Sequence, residues 1–313
     1  MISVSLIVLS NTKNVALRPE NILDHHIVIT SISWRNTQRL HVLVKNIINA
    51  HLEDSLGGEW QPCRNIHNLF TNILTSNDSV EEIGNFIETW KLSTIDAFVN
   101  RTCVIFHFRV ISINERVSRL VENFQSKHYS GTTAFSKLFL HEILPTDIKR
   151  VIWFDTDILL LRSVLDLFNE FHHMNENQIF GATPNLSDWY KINNHYQAID
   201  RGYNTGVILI DLEKLRLANF TQDIISAGRR YTMKFGYPAL ADQDVLNTYF
   251  YERREIVYDI DCSWNVQLNP SVDSTFCGTS RAKILHMNYI DKLDLPFSQE
   301  RSDWLDGKTT LQI

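Results

Sequence analysis

The sequence predicts an α/β fold, a mixed and mostly parallel sheet flanked by helices. Three observations predict it. Short apolar runs alternate with segments of helical periodicity, as in a sheet whose strands are joined by crossover helices. No period of 20 to 50 residues repeats, which excludes solenoids and propellers. One apolar strand, Val151-Ile-Trp-Phe-Asp-Thr-Asp-Ile-Leu-Leu-Leu161, runs into two acids and leaves into a second apolar run. In open α/β sheets, ligands bind just beyond the carboxyl ends of strands.

Taken in order, His26 to Ser33 reads as a buried first strand, followed by a polar loop, Trp34-Arg-Asn-Thr37. Leu40, Leu43, Val44, Ile47 and Ile48 then recur at helical spacing. Residues of about 51 to 100 mix Gly57-Gly58 and polar clusters with helix-like pieces such as Val80 to Trp90, and read as an insertion. Val104 to Val110 is strand-like, Ile113 to Phe124 helical, and Thr132 to Leu144 helical up to Pro145. Further strands are expected at Gln178 to Ala182, Gly206 to Asp211, near Ile256 and at Ala282 to His286, with helices from Glu213 and over Asp242 to Phe250. No linker divides the chain, so one domain is expected over 26–293, with flanking segments 1–25 and 294–313.

The chain has 313 residues, 44% hydrophobic and 21% charged, an ordinary globular composition. Its net charge of −6, with no basic run, argues against nucleic acid as a partner. No stretch approaches the length of a membrane helix, so membrane association would come only through a segment not present here. None of the four cysteines, Cys63, Cys103, Cys262 and Cys277, forms a CxxC pair, which disfavours a thiolate zinc site. Four sequons, beginning at Asn77, Asn100, Asn185 and Asn219, lean towards a lumenal protein.

The pair Asp155 and Asp157 carries the strongest chemistry. A strand end places two carboxylates in the ligand crevice, where Mg²⁺ or Mn²⁺ prefers oxygen and keeps positions open for phosphates. The triplet recurs at Asp242/Asp244 and Asp259/Asp261, so it means little by itself. Only the first copy sits between long apolar runs, where uncompensated carboxylates are costly. In Arg201-Gly-Tyr-Asn-Thr-Gly-Val-Ile-Leu-Ile210, Asn204 can bind a sugar hydroxyl and Gly206 allows close backbone approach; the plain alternative is a turn entering a strand. Asp242 can cap the following helix, while Asp242 or Gln243 faces the crevice. His286, at the end of an apolar strand, is either a third metal ligand or an ordinary core histidine. Lys292 is either a phosphate contact or a surface lysine.

These blocks occur in one order along one chain, and there the chain resembles retaining glycosyltransferase family 8, of the GT-A fold. It is most similar to the xylosyltransferase domain of the LARGE-type glycosyltransferases. The resembling blocks are Lys127-His-Tyr-Ser-Gly131 with Lys137-Leu; Leu144 through Asp157; Ser187-Asp-Trp-Tyr190; Arg201 to Leu209; Leu240-Ala-Asp-Gln-Asp244; Cys262-Ser-Trp-Asn-Val-Gln-Leu268; and Ile284-Leu-His-Met-Asn288. Residues 26 to 50, with Ser31 and Trp34, match more loosely as a nucleotide-binding strand, loop and helix. Residues 51–126 match poorly, and Met287 stands where LARGE-type proteins usually have Trp. No second catalytic domain precedes the end at Ile313.

The resemblance implies a UDP-sugar donor, a glycan acceptor, Mn²⁺ (or Mg²⁺) on Asp155, Asp157 and His286, and work in the Golgi lumen. Thr156, Thr205, Gly206, Asn288 and Lys292 fall at UDP-sugar positions, Lys137 and Asn204 at donor-sugar contacts, and Asp242 and Gln243 near the anomeric centre. The Ser187 and Cys262 blocks imply UDP-xylose, with a glucuronic acid terminus as acceptor; Trp189, Tyr190 and Trp264 either shape a wall against hexoses or are core aromatics, and Trp264 reads equally well both ways. A Cys262–Cys277 bridge is expected in the same block. The alternatives are a family-8 enzyme using UDP-glucose or UDP-galactose, a metal-dependent phosphohydrolase or nucleotidyltransferase, and an inactive binding homologue.

Overall fold

The computed structural model describes residues 2–4, 21–31, 34–56, 65–94, 103–125, 132–187, 202–268 and 282–288. In chain order the strands are β1 (Ile2–Val4), β2 (Asn21–Thr30), β3 (Asn65–Thr75), β4 (Val104–Ser112), β5 (Arg150–Phe154), β6 (Ile158–Leu160), β7 (Phe180–Pro184), β8 (Tyr203–Asp211), β9 (Val257–Asp259), β10 (Val266–Gln267) and β11 (Ile284–His286). The helices are α1 (Trp34–Leu56), α2 (Val80–Thr94), α3 (Glu115–Val121), α4 (Leu140–Ile143), α5 (Val164–Phe168), α6 (Leu212–Leu217), α7 (Phe220–Phe235) and α8 (Asp242–Glu252).

The chain falls into two compact units. The first holds residues 1–112, 156–168 and 290–313. Its strands run in the order β1-β4-β3-β2; β2, β3 and β4 are mutually parallel and β1 lies antiparallel on β4. β3 is therefore a central strand of this unit, although it falls in the stretch that reads as an insertion. Its sequence, Asn-Ile-His-Asn-Leu-Phe-Thr-Asn-Ile-Leu-Thr, hides the strand because polar residues break the apolar run. The fully buried Asn72 donates to the Ile27 carbonyl at 2.9 Å, which offsets part of the cost of burying its amide. Trp34 to Thr37, expected as a loop, forms the first turn of α1; no Gly or Pro there stops the helix from extending. From the buried face of α1, Asn46 donates to the Leu160 carbonyl at 2.9 Å and accepts from the Leu160 N–H at 2.6 Å. One side chain thus serves β6 as a strand neighbour would, just after Asp157.

The second unit holds 113–155 and 169–289. Its strands run β5-β8-β7-β9, with β8 antiparallel to both neighbours and β9 parallel to β7; β10 and β11 form a further parallel pair. Both units carry sheets flanked by helices, with parallel and antiparallel pairings mixed, as expected. All nine residues of β8 are buried. The strand begins at Tyr203, so Asn204-Thr205-Gly206 lies within it rather than in a turn before it. Thr132 to Phe139 is a 3₁₀ helix that passes into the short α4. Arg216 of α6 binds the chain between there and β5. Its guanidinium donates to the carbonyls of His141, Leu144, Pro145, Thr146 and Ile148 at 2.8 to 3.4 Å.

Among the described residues, no helix is long and apolar enough to cross a membrane. Cys103 and Cys262 are each disulfide-bonded; Cys63 and Cys277, the expected partner of Cys262, lie outside the described residues.

Candidate functional site

Buried apolar residues 151–154 make β5, and the strand stops where the side chains turn acidic. Asp155 is held there from the backbone, its N–H donating to the Gly206 carbonyl of β8 at 2.8 Å. Asp157 follows two residues on and is buried. One oxygen of each carboxylate and one ring nitrogen of His286 all lie within 4.8 Å of one another. Two carboxylates and an imidazole, gathered this closely and largely away from water, form a donor set that fits a small divalent cation.

His286 closes β11 and is 3% exposed. Its ring lies directly over Gly206: a Cβ added there would come 2.1 Å from Cε1 and 2.6 Å from Nδ1. Only glycine leaves room for the ring. Asn204 directs its Oδ1 to the Gly206 N–H at 2.9 Å and to the Asn265 amide at 2.9 Å, and Asn265 Oδ1 lies 3.0 Å from His286 Nδ1. The acceptor oxygen of Asn204 is thus used twice inside the protein.

A second cluster adjoins Asp155. Lys137 is buried and its Nζ reaches Asp242 Oδ2 at 2.8 Å, the Thr205 carbonyl at 2.9 Å and Asp155 Oδ1 at 3.3 Å. Burial works against its charge, but Asp155 and Asp242 outweigh that and hold its pKa above the ordinary lysine value. Burial likewise pushes the Asp242 carboxyl up, against the pull of Lys137. Thr205 ties the cluster together: its hydroxyl donates to Asp242 Oδ2 at 3.0 Å and its N–H to Gln243 Oε1 at 3.1 Å. Asp242 does not cap α8. Ala241 occupies that position at φ 50°, in the left-handed region that non-glycine residues avoid at a cost of roughly 1–3 kcal/mol. Asp244 holds the strained turn instead, its Oδ2 accepting from the Leu240 N–H at 2.9 Å and the Tyr231 hydroxyl at 3.0 Å.

The structure therefore brings together Asp155, Asp157 and His286, and groups Lys137, Asp242, Gln243, Asn204, Thr205 and Gly206 around Asp155 and His286. Thr156 lies between the two acids and is half-buried. Ser31 follows β2 and is fully buried, its N–H donating to the Leu74 carbonyl at 2.9 Å. Asn288 follows β11, with its Oδ1 buried and accepting no hydrogen bond. Trp34 opens α1, its side chain outside what is described; Lys292, Trp189 and Tyr190 lie outside the described residues altogether. Trp264, read equally as sugar wall or core, is a core residue. It is 1% exposed, and its indole N–H donates to Glu170 at 3.1 Å.

Two participants were not singled out from the sequence. The Trp153 indole N–H donates to Asp155 Oδ1 at 2.9 Å, and Lys137 Nζ sits 4.8 Å from its ring centroid. In the sequence this Trp reads simply as another apolar strand residue. Asn265 lies inside a resembling block without a pattern of its own.

Comparison with known proteins agrees with this geometry. The family model described as glycosyl transferase family 8 matches residues 64–292. The chicken xylosyl- and glucuronyltransferase LARGE1 is 39% identical over 175 residues, which are 54% of this chain and 23% of that protein. The chain thus spans about a quarter of the length of that relative. Mouse xyloside xylosyltransferase 1 in its apo form superposes with a TM-score of 0.59 at 19% identity, covering 85% of this chain and 98% of that one. The galactosyltransferase LgtC, solved with donor and acceptor sugar analogues, superposes with a TM-score of 0.58 at 17% identity, covering 91% and 97%. The fold shared with these neighbours is GT-A.

Proposed function

The chain belongs to glycosyl transferase family 8, and from that premise we propose that it transfers xylose from UDP-xylose to a glycan acceptor, with a divalent metal and with retention of anomeric configuration. The observation that carries the metal dependence is the convergence of Asp155, Asp157 and His286. The mixed oxygen and nitrogen donors suit Mn²⁺ better than Mg²⁺, which favours oxygen ligands and its own waters. When bound there, the ion would supply Lewis-acid stabilisation of the charge that develops on the departing diphosphate.

The chain's own residues provide the rest. Lys137, itself buried, places a fixed positive charge beside the half-buried Asp155, a preorganised arrangement that costs no rearrangement during reaction. Asp242 and Gln243, both tied to Thr205, are assigned to positioning the donor sugar and the incoming acceptor hydroxyl. Ser31, Trp34, Thr156, Asn288 and Lys292 are assigned to the UDP. Asn204 and Gly206 support His286, and any sugar contact by Asn204 would use its NH₂, since its oxygen is already engaged. A lumenal site of action, the Golgi, agrees with the disulfide-bonded Cys103 and Cys262, because such bonds persist in oxidising compartments.

The test compares UDP-xylose, UDP-glucose and UDP-galactose at equal concentration, with a β-glucuronide acceptor and with Mn²⁺ or EDTA. Both UDP and glycosylated product are followed. The expected result is Mn²⁺-dependent product formation, fastest with UDP-xylose. Preference for a hexose donor would sink the xylosyl assignment alone. UDP-sugar consumption without acceptor product would favour a phosphohydrolase, and metal-independent behaviour would overturn the role of the triad.

A further inference from the structure

A histidine ligates metal through a nitrogen lone pair, so its other nitrogen must carry the hydrogen, and the partner of that nitrogen decides which is which. At His286 the decision traces back to a backbone amide. The Gly206 N–H can only donate, so the atom of Asn204 that faces it at 2.9 Å is the side-chain oxygen. That oxygen also faces the Asn265 amide at 2.9 Å, so Asn265 must present its NH₂ to it. This leaves the Asn265 oxygen facing His286 Nδ1 at 3.0 Å, and an oxygen acceptor requires a hydrogen on Nδ1. Asn204, Asn265 and His286 are 4%, 0% and 3% exposed, so water has little room to reverse the order.

We propose that Asn265 is a positioning residue of the metal centre: it holds His286 in the Nδ1–H tautomer, and so presents Nε2 as the ligand. This rests on the metal-dependent reading above. The test uses the full chain, labelled with ¹⁵N-histidine, in wild-type, Asn265→Leu and Asn265→Asp forms; His286→Gln assigns the signals. Ring ¹⁵N shifts of the metal-free protein report the tautomer, and calorimetry reports the Mn²⁺ dissociation constant. Neither needs turnover. Wild type should show a hydrogen on Nδ1 and a bare Nε2. Leucine, of the same branched shape but larger and without an acceptor, should mix the tautomers and weaken Mn²⁺ binding on the order of 10–100-fold. Aspartate keeps an acceptor for Nδ1–H and should retain the tautomer that leucine loses, although its second oxygen gives up the bond to Asn204 Oδ1; a role confined to packing predicts no such split in the tautomer. An Nε2–H signal in wild type, or a folded leucine variant with wild-type affinity, overturns the proposal. Should the leucine variant not fold, the wild-type tautomer decides. Wild type that shows Nδ1–H but binds no Mn²⁺ would instead defeat the metal reading and, with it, the ligand role of Nε2.

A separate observation concerns the sequons. Asn185 is 2% exposed, and its Oδ1 accepts from the Ser187 N–H at 3.1 Å and hydroxyl at 2.9 Å, which leaves no room for a glycan in the folded chain. Asn77 and Asn219 are exposed. Asn219 stands at the N-terminus of α7 with no side-chain cap bond, and the bond described for the Asn77 side chain is to its oxygen, which accepts from the Ser112 hydroxyl. The disulfide-bonded Cys103 and Cys262 fit the oxidising compartment in which sequons are read. We infer that Asn77 and Asn219 carry N-linked glycans and that Asn185 does not. In the step, the amide Nδ2 attacks the anomeric carbon of an oligosaccharide carried on a polyprenyl diphosphate. The carbon–oxygen bond breaks, its electron pair leaves with the diphosphate, and one amide proton passes to base. The full chain, directed into a eukaryotic secretory pathway in an Asn100→Gln background, is treated with peptide N-glycosidase in ¹⁸O water and mapped by mass spectrometry. Labelled aspartate is expected at positions 77 and 219, and Asn77→Gln and Asn219→Gln should each remove one glycan's mass. An unlabelled 77 or 219, or label at 185, overturns the inference.

Discussion

Replacing Gly206 with alanine adds one methyl group and should disable the metal site. The new Cβ would lie 2.1 Å from His286 Cε1, 2.6 Å from Nδ1 and 2.9 Å from Nε2, all closer than ordinary contact and the first by more than 1 Å. Neither side can yield easily. Gly206 sits in the fully buried β8, and the ring is 3% exposed and bonded through Nδ1 to Asn265. Overpacking of this kind costs about 1–3 kcal/mol of stability. Turning the ring away avoids the clash but removes a ligand, so Mn²⁺ affinity should fall on the order of 10–100-fold, as when a ligand's support is lost. Calorimetric Mn²⁺ titration with UDP present measures the affinity, and thermal unfolding the stability. A double-mutant cycle adds the decisive comparison. In a His286→Ala background the methyl group finds space, so Gly206→Ala should cost little more in either readout. If Gly206→Ala binds Mn²⁺ within twofold of wild type, or if its costs simply add to those of His286→Ala, the steric reasoning is wrong.

Two further outcomes follow from the same geometry and from burial. Asp155→Asn or Asp157→Asn should abolish Mn²⁺-dependent UDP binding and leave thermal stability near wild type; full turnover by either variant would remove that residue from the site. His141 is half-buried, with its side chain largely enclosed and its Nδ1 without a hydrogen-bond partner, and this desolvation chiefly lowers its pKa to about 4. The unfolded chain takes up a proton near pH 6.5 that the folded chain refuses until about pH 4. Stability from this group is therefore complete above 6.5 and lost as pH falls through 4, about 3 kcal/mol in all. Denaturant unfolding between pH 7.5 and 4.5 should show this decline, and His141→Gln should make it shallower, leaving the part from His25, whose pKa burial also lowers to about 4; an unchanged slope would refute the assignment.

The parts of the fold that were legible share one property: their burial is advertised by apolar residues. The strand through Val151 to Phe154 and the helical stripe from Leu40 to Ile48 are plain because their inward positions, Asn46 apart, are hydrophobic. β3 escaped because it buries Asn72 on a backbone carbonyl, and a hydrogen-bonded amide in a core resembles a loop residue when read as sequence. Trp34 to Thr37 escaped because polarity was taken for a loop where no helix breaker stands. In the site, Asp155 and Asp157 stood out because acids between apolar runs are costly, and that rule works without any template. His286 had two readings until its strand placed it beside them. Trp153, Asn265 and the strained Ala241 act by direction: an indole N–H, an amide oxygen and a backbone twist. Residue type alone does not encode direction.

Arg216 carries a different consequence. A segment between a helix and a strand usually relies on its own side chains, such as a C-cap glycine or a turn-forming asparagine, to settle its backbone. Here an outside residue gathers five carbonyls from the chain between His141 and Ile148. The grip is on main-chain atoms, which every amino acid possesses. The exposed Thr146 is thereby relieved of structural duty, while Asp147 faces the guanidinium electrostatically and Lys149 pairs with Glu213 at 2.8 Å, so the approach to β5 can accept substitution at 146 without moving Asp155. The constraint on that stretch of chain has been transferred to a single codon about 70 positions downstream.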